Sequence, residues 1–346
     1  MLFPQTDVKK NFTTFGHISI DKKNGFSEGN NGFQISPLMQ ELMVYAGQFD
    51  CYARCNEVIK KFLNVEVSSA QVYRVTDVYG EELGKTGTTT RTMLPVKQEE
   101  ILYVEADGSM VLTREDGWKE VKVGRLFKSG DCMKTDDLPA GKPGCIRHSQ
   151  YLAHLGDSRQ FTTQMDEVIE SYGALGTRLV FISDGAPWIR NWIEDTFPDA
   201  ESILDYYHAS QHLYEFVNLH FQDIQRGKEW GKTQEKLLLE SNVSDVIKNI
   251  QELGSVKKEA QKLIDYYTNN IERMEYKRYR QIGCGIIGSG AIESAHRTVV
   301  QKRIKLSGQR WSKAGAQNML NLRVTSMNEK WDRVIELVKT NFKEAA

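Results

Sequence analysis

Two almost wholly apolar runs, ILYVEADG at 101–108 and RLVFISDG at 178–185, each end in Asp-Gly. Runs of this length and side-chain type read as strands buried on both sides, which calls for a sheet covered by helices on both faces. GWKEVKVGRLF alternates as a second strand after a turn that begins at Gly108-Ser109, and SQYLAHLG reads as a third. A helix follows over about 158–174, PWIRNWIEDTF forms another, and AESILDYYH reads as a strand ending near Asp205. The order βββαβαβ predicts an α/β fold. Sites in open sheets of this kind form at the carboxyl ends of strands, so Asp107 and Asp184 are the first candidates for chemistry.

Before the sheet, residues 1–35 are rich in Gly, Asn and Lys and read as an irregular leader. Residues 36–98 form a helical unit. Ser36-Pro37 supplies an N-cap and a first-turn proline, CYARCNEVIKKFL sets Val58, Ile59 and Phe62 on one face, and Ser68 opens a third helix. The connection at 64–67 has the length of a helix-turn-helix, whose last helix would expose Ser69, Gln71 and Arg74 to DNA. Three helices also make a plain packing module. Residues 209–282 are helical and charged without a strand signal, and read as a helical insertion between two parts of one core, 99–208 and 283–346. Gly283, Gly285, Gly288 and Gly290 break the chain before a helix bearing Glu293, and an amphipathic helix at about 313–342 closes it.

The chain of 346 residues is long enough for two or three units. It has no apolar stretch that could span a membrane and no secretion signal, so the expectation is a cytoplasmic protein. Its five cysteines include no CxxC pair, which disfavours a disulfide framework or a zinc ribbon. The net charge of -1 speaks against nucleic acid until it is divided along the chain. Residues 101–200 hold 11 basic and 16 acidic side chains, whereas 276–313 hold nine basic ones against Glu293 alone. In that segment Arg278, Arg280, Arg297, Lys302, Arg303, Lys305 and Arg310 are interleaved with tyrosines and Trp311. Such a mixture suits gripping phosphates and stacking on bases, although a solvated helix face is the plainer alternative.

Asp107, Asp184 and Glu293 converge only at a cost unless a cation neutralises them, so the trio predicts a hard metal, Mg²⁺ with Mn²⁺ as substitute. Two such ions can activate a water or 3′-hydroxyl and stabilise the leaving oxygen in phosphoryl transfer. Taken singly, each acid could simply cap a turn or helix. Asp205 and His208 are accessory candidates, the carboxylate holding the imidazole in one tautomer. His208 and His212 share the spacing of a zinc pair, but no further ligand accompanies them.

Three blocks carry a resemblance: DGSMVLTREDGWKEVKVG, then FISDGAPWIRNWIEDTFPDAESILDYYHASQHL, then GIIGSGAIESAHRTVVQKRIKLSGQRWSKAGAQNMLNLR. Together, over about residues 36–325, the chain resembles the DDE transposases of the ISKra group of bacterial insertion sequences, relatives of Mutator-like elements. The resemblance implies an RNase H-like mixed-sheet core with catalytic, metal-binding Asp107, Asp184 and Glu293, and a helical insertion before the last of them. Asp205-Tyr-Tyr-His208 is similar to the D-x-x-H signature of Mutator-like transposases. The implied activity is cleavage at transposon ends and 3′-hydroxyl strand transfer into target DNA, by a homodimer or larger assembly on the nucleoid. The leader departs from the group in having no cysteine pair, which leaves a shortened or domesticated derivative, or end recognition by residues 36–85 alone, as readings. The alternatives are a catalytically silent DNA-binding regulator derived from such an enzyme and, more weakly, a structure-specific endonuclease.

Overall fold

A computed structural model describes residues 10–13, 16–19, 30–87, 95–97, 99–133, 145–174, 176–253 and 258–340. Helices begin where local chemistry invites them. In α1 (Pro37–Gly47) the Met39 N–H donates to the Ser36 hydroxyl and Pro37 takes a first-turn position that needs no N–H donor. Helix α2 (Tyr52–Leu63) ends on Asn64 in the left-handed region, at φ 53°. In α3 (Ser69–Lys85) Ser68 and Gln71 cap each other's backbone reciprocally.

Helix α2 and the leader both depart from the sequence expectation. Helix α2 buries Cys55 and Ile59, one turn apart, whereas Phe62 is 81 % exposed and Val58 also faces out. Packing against α1 and α3 sets the phase of the buried stripe, and it lies off the one read from hydrophobicity alone. The leader is also not wholly irregular, since β1 (Lys10–Thr13) and β2 (Gly16–Ser19) pair antiparallel. Residues 1–9, 14–15 and 20–29 of that leader lie outside the described residues.

The main sheet contains β3 (Leu102–Thr113) and β4 (Gly117–Lys128) and, after a small ribbon of β5 (Cys132–Met133) and β6 (Cys145–Ile146), the strands β7 (Gln150–Leu155), β8 (Leu179–Ser183) and β9 (Glu201–Leu204). Its order is β7-β4-β3-β8-β9, and only β4 runs against the others. Helices α4 (Ser158–Ser171) and α5 (Pro187–Thr196) connect its last strands, so the βββαβαβ order is found in a mixed α/β fold.

Gly108-Ser109 does not turn. β3 pairs with β8 only through Glu105, opposite Ile182, but continues with β4 to Thr113, and the turn falls at 114–116. Asp107 therefore sits inside a strand, opposite Val123, just past the end of the parallel ladder. Nor does β4 alternate, because residues 121–127 are buried throughout. Phe161 and Met165 of α4 cover one face at Gly124, while α11 (Gly290–Ala295) and α12 (Lys313–Met327) cover Val121 and Val123 on the other.

Between β9 and α11 come α6 (Tyr206–His220), α7 (Ile224–Leu239), α8 (Val243–Glu252), α9 (Lys258–Asn270) and α10 (Tyr276–Tyr279). Their apolar sides form one cluster with Tyr103, Phe127, Val180, Ile182 and Ile203, continuous with the sheet. The expected single amphipathic helix at 313–342 is two, α12 and α13 (Asp332–Lys339), parted where Glu329 takes φ 57°. Helix α12 is buried nearly all round, since Met319 and Leu320 join the sheet-side core and Leu322 joins that of α1–α3. Its crossing with α3 is tight, because a Cβ on Gly80 would stand 2.4 Å from the Asn318 carbonyl oxygen.

Candidate active site at the ends of the parallel strands

Strand alternation turns Leu102, Val104 and Ala106 toward α4 and α5, and Tyr103, Glu105 and Asp107 toward the opposite face. Glu105 is fully buried there, directly across from Arg125 on β4. Its Oε2 accepts the Ile292 N–H at 2.6 Å, while the Arg125 guanidinium donates to the Ala291 carbonyl at 2.9 Å and to Ser149 Oγ at 2.9 Å. The pair thus holds the first turn of α11, whose N–H groups have no partners within the helix. Burial pushes the Glu105 carboxyl up to about 8, against the pull of the Ile292 N–H and of Arg125.

A second acid anchors the glycine-rich bend. Asp205 follows β9 and caps α6, accepting from Tyr207 N at 2.9 Å, Ser289 N at 3.1 Å and Ser289 Oγ at 2.5 Å. The Tyr206 N–H donates to the Ile287 carbonyl at 3.0 Å. Gly288 lies against the Tyr207 ring, where a Cβ would come within 2.3 Å of it. Asp205 was expected to orient His208; instead the imidazole Nε2 lies 3.7 Å from Oδ2, beyond hydrogen-bonding reach, and the carboxylate serves Ser289.

The three acids expected to react stand on this same side. Asp107 is half-buried, with Oδ1 accepting the Gly108 N–H and Oδ2 3.2 Å from His296 Nε2. Asp184 follows β8 and accepts the Ala186 N–H at 2.9 Å. Burial and then the charges of Asp184 and Asp205 hold the Tyr266 hydroxyl well above the usual tyrosine range, and that hydroxyl donates to the Asp184 backbone carbonyl at 3.3 Å. Glu293 is exposed on α11. His296, one turn on, is 5 % exposed and opens a π-helical turn, His296–Gln301; its Nε2 faces the Asp107 carboxylate, whereas Nδ1 has no hydrogen-bond partner among the described residues. Among the described residues, no three His, Cys, Asp or Glu side chains gather into a group that could hold a metal ion.

The model of an uncharacterised protein family, UPF0236, matches residues 33–341, a span that takes in the sheet, the bend and α11. The chain belongs to UPF0236. It is also similar to the "UPF0236 protein in vanSb 3'region" of Streptococcus gallolyticus, 22% identical over 339 residues that cover 91% of this chain and 71% of that protein.

The basic segment of this UPF0236 chain divides in two. Arg297, Lys302, Lys305 and Arg310 are exposed, and partial burial of its stem lowers the Lys305 ammonium against the opposing pull of the Asp107 charge. Arg303 and Trp311, expected on a DNA surface, are core instead. The Arg303 guanidinium, 0 % exposed, sits between the rings of Tyr52 and Trp311 at 4.7 and 4.9 Å and donates from Nε to the Gly47 carbonyl. Trp311 donates from Nε1 to the Ile304 carbonyl at 3.0 Å. Arg278 is held in a fork by Glu201 at 2.7 Å, and Arg280 reaches the Leu239 carbonyl and Glu240. On α3, Gln71 is engaged in the capping box, Arg74 is exposed, and both line a groove of about 180 Å³ closed by residues 32–35. No helix among the described residues is long and apolar enough to cross a membrane.

Sequence reasoning passed over Glu105, Arg125, Ser289 and His296. A charge inside each of two buried strands was the available signal, because an acid at such a position needs a partner across the ladder.

Proposed function

We propose that the chain is a metal-dependent DNA transposase of the DDE kind, cutting at element ends and joining the freed 3′-hydroxyl to target DNA. One arrangement carries the reading. Asp107 lies past the end of the β3–β8 ladder, Asp184 ends β8, and the helix bearing Glu293 is docked on the same side by Glu105 and Arg125. A five-stranded sheet in the order third-second-first-fourth-fifth, with only the second strand reversed, supports an RNase H-like core. The helices between β9 and α11 support an insertion before the last acid.

The donor set fits a hard divalent cation in kind, since Asp107, Asp184 and Glu293 offer only carboxylate oxygens. Bound Mg²⁺ or Mn²⁺ would acidify the attacking water or hydroxyl and offset charge on the leaving oxygen. The chain's own contribution is to hold those acids on rigid elements and to present exposed Arg297, Lys302, Lys305 and Arg310 to the phosphate backbone. Arg74 would extend that contact on the helix-turn-helix-like unit. Transposition requires paired ends, so a dimer or larger assembly on DNA belongs to this reading.

A second reading, a DNA-binding protein without catalysis, is favoured by the lack of an assembled three-acid group among the described residues. Duplexes carrying the DNA that flanks the coding sequence, with Mn²⁺, separate the two. The enzyme nicks or cuts them, Glu293→Gln abolishes cutting, and affinity is retained; a silent binder shifts the DNA equally well with either residue and cuts nothing.

A further inference from the structure

Cys132 and Cys284 are 152 positions apart in the chain, yet their sulfurs stand 3.0 Å apart, closer than two unbonded sulfurs ordinarily pack. Both are free thiols and half-buried. Cys132 opens β5, directly after the 3₁₀ turn Ser129–Asp131 that extends β4. Cys284 lies in the glycine-rich bend that leads to Glu293. Tyr103, which donates from its hydroxyl to the Ile282 carbonyl at 2.8 Å, already fixes the near end of that bend, and Asp205 fixes the far end at Ser289. Contact with Cys132 holds Cys284 below the usual thiol range and raises Cys132 above it, so one sulfur of the pair is the readier nucleophile.

We propose that Cys132 and Cys284 are a modification site at which a hydroperoxide forms a reversible disulfide, locking the bend that leads to Glu293. The Cys284 thiolate attacks a peroxide oxygen and becomes a sulfenic acid as the O–O bond breaks and an alcohol, or water, leaves. The Cys132 thiolate then attacks the sulfenic sulfur, the S–S bond forms, and hydroxide departs and is protonated to water. The two thiols together lose two electrons and two protons, and the hydroperoxide takes them up. The new bond ties the end of β4 to the bend between its two existing anchors and encloses the strands and helices from β6 to α10, so it restrains the route by which α11 could shift. This inference stands apart from the reaction proposed above and needs no activity for its test.

The reduced full-length chain would be treated with one equivalent of hydrogen peroxide, alkylated, and digested without reductant. The expected product is the cross-linked peptide pair containing Cys132 and Cys284, in roughly tenfold excess over any other cysteine product. It should vanish in Cys284→Ser, persist in Cys145→Ser, and revert with dithiothreitol. Amide exchange at 283–290 should slow by about tenfold or more on oxidation. Cys145 is the more exposed thiol, so exposure alone would make it react first. Oxidation of Cys145 ahead of the pair, a Cys132 to Cys145 link, or unchanged exchange in the bend would overturn the proposal.

Discussion

Glu105 and Arg125 face each other across β3 and β4 and grip consecutive residues of α11, Ile292 through its N–H and Ala291 through its carbonyl. Two strands in the middle of the sheet therefore set the height and angle of the helix that carries Glu293.

The pair makes stability depend on pH in a definite direction. Burial raises the folded Glu105 carboxyl from 4.5 to about 8, so between those values the folded chain keeps a proton that the unfolded chain releases. Its contribution is fully present below about 4.5 and is lost as pH rises through about 8. Glu105→Gln keeps an acceptor for the Ile292 N–H and has no proton to lose. Urea unfolding in EDTA should show the wild type losing ground to Glu105→Gln from pH 5 to 8, by up to about 1.4 kcal/mol per unit. Parallel pH profiles would contradict the assignment.

Arg125→Met deletes the donors to Ala291 and Ser149 while preserving bulk. We expect a loss of about 2 kcal/mol, because buried acceptors are left without partners. The Glu105→Gln/Arg125→Met double variant should lose less than the sum of the single variants, since the two side chains hold one helix turn.

Asp205 and His208 should separate cleanly. Asp205→Ala removes the anchor of Ser289 and should cost roughly 2–3 kcal/mol and, through displaced Glu293, most of any DNA cutting. His208→Ala should leave stability within about 0.5 kcal/mol. Equal effects of the two on unfolding midpoints would return Asp205 to the role of orienting the histidine.

The crossing of α3 with α12 has its own test. Gly80→Ala forces a methyl against the Asn318 backbone and should cost about 1–3 kcal/mol. Gly290→Ala, at the start of α11 with nothing near its would-be Cβ, should be neutral or stabilising by up to about 1 kcal/mol. Thermal melting of both variants against the wild type reads the difference.

What the sequence made legible was mostly local. Ser36-Pro37 and Ser68 announce their helices because a cap involves only residues a turn apart. The alternation of strands and helices is equally close-range. The misreadings turn on pairing and packing at long range. Asp107-Gly108 has turn chemistry, yet register with β4 keeps it extended. Phe62 has core chemistry, yet among the described residues it stays exposed on that side of α2. Arg303 has the chemistry of a phosphate contact but is taken up by Tyr52 and Trp311, one of which is 251 positions away. Of the candidate site, Asp107 and Asp184 stand out by the glycine that follows each, and Glu293 by the glycine-rich bend before its helix. Glu105, Arg125 and His296 gain their meaning only from the ladder and the helix that meet over them.

Anomalous diffraction from Mn²⁺ in crystals of the chain with a short DNA duplex tests the central claim most directly. The account predicts metal density bounded by Asp107, Asp184 and Glu293, next to a phosphate of the duplex. Bound DNA with no such density, or with density confined to His208 and His212, would contradict it.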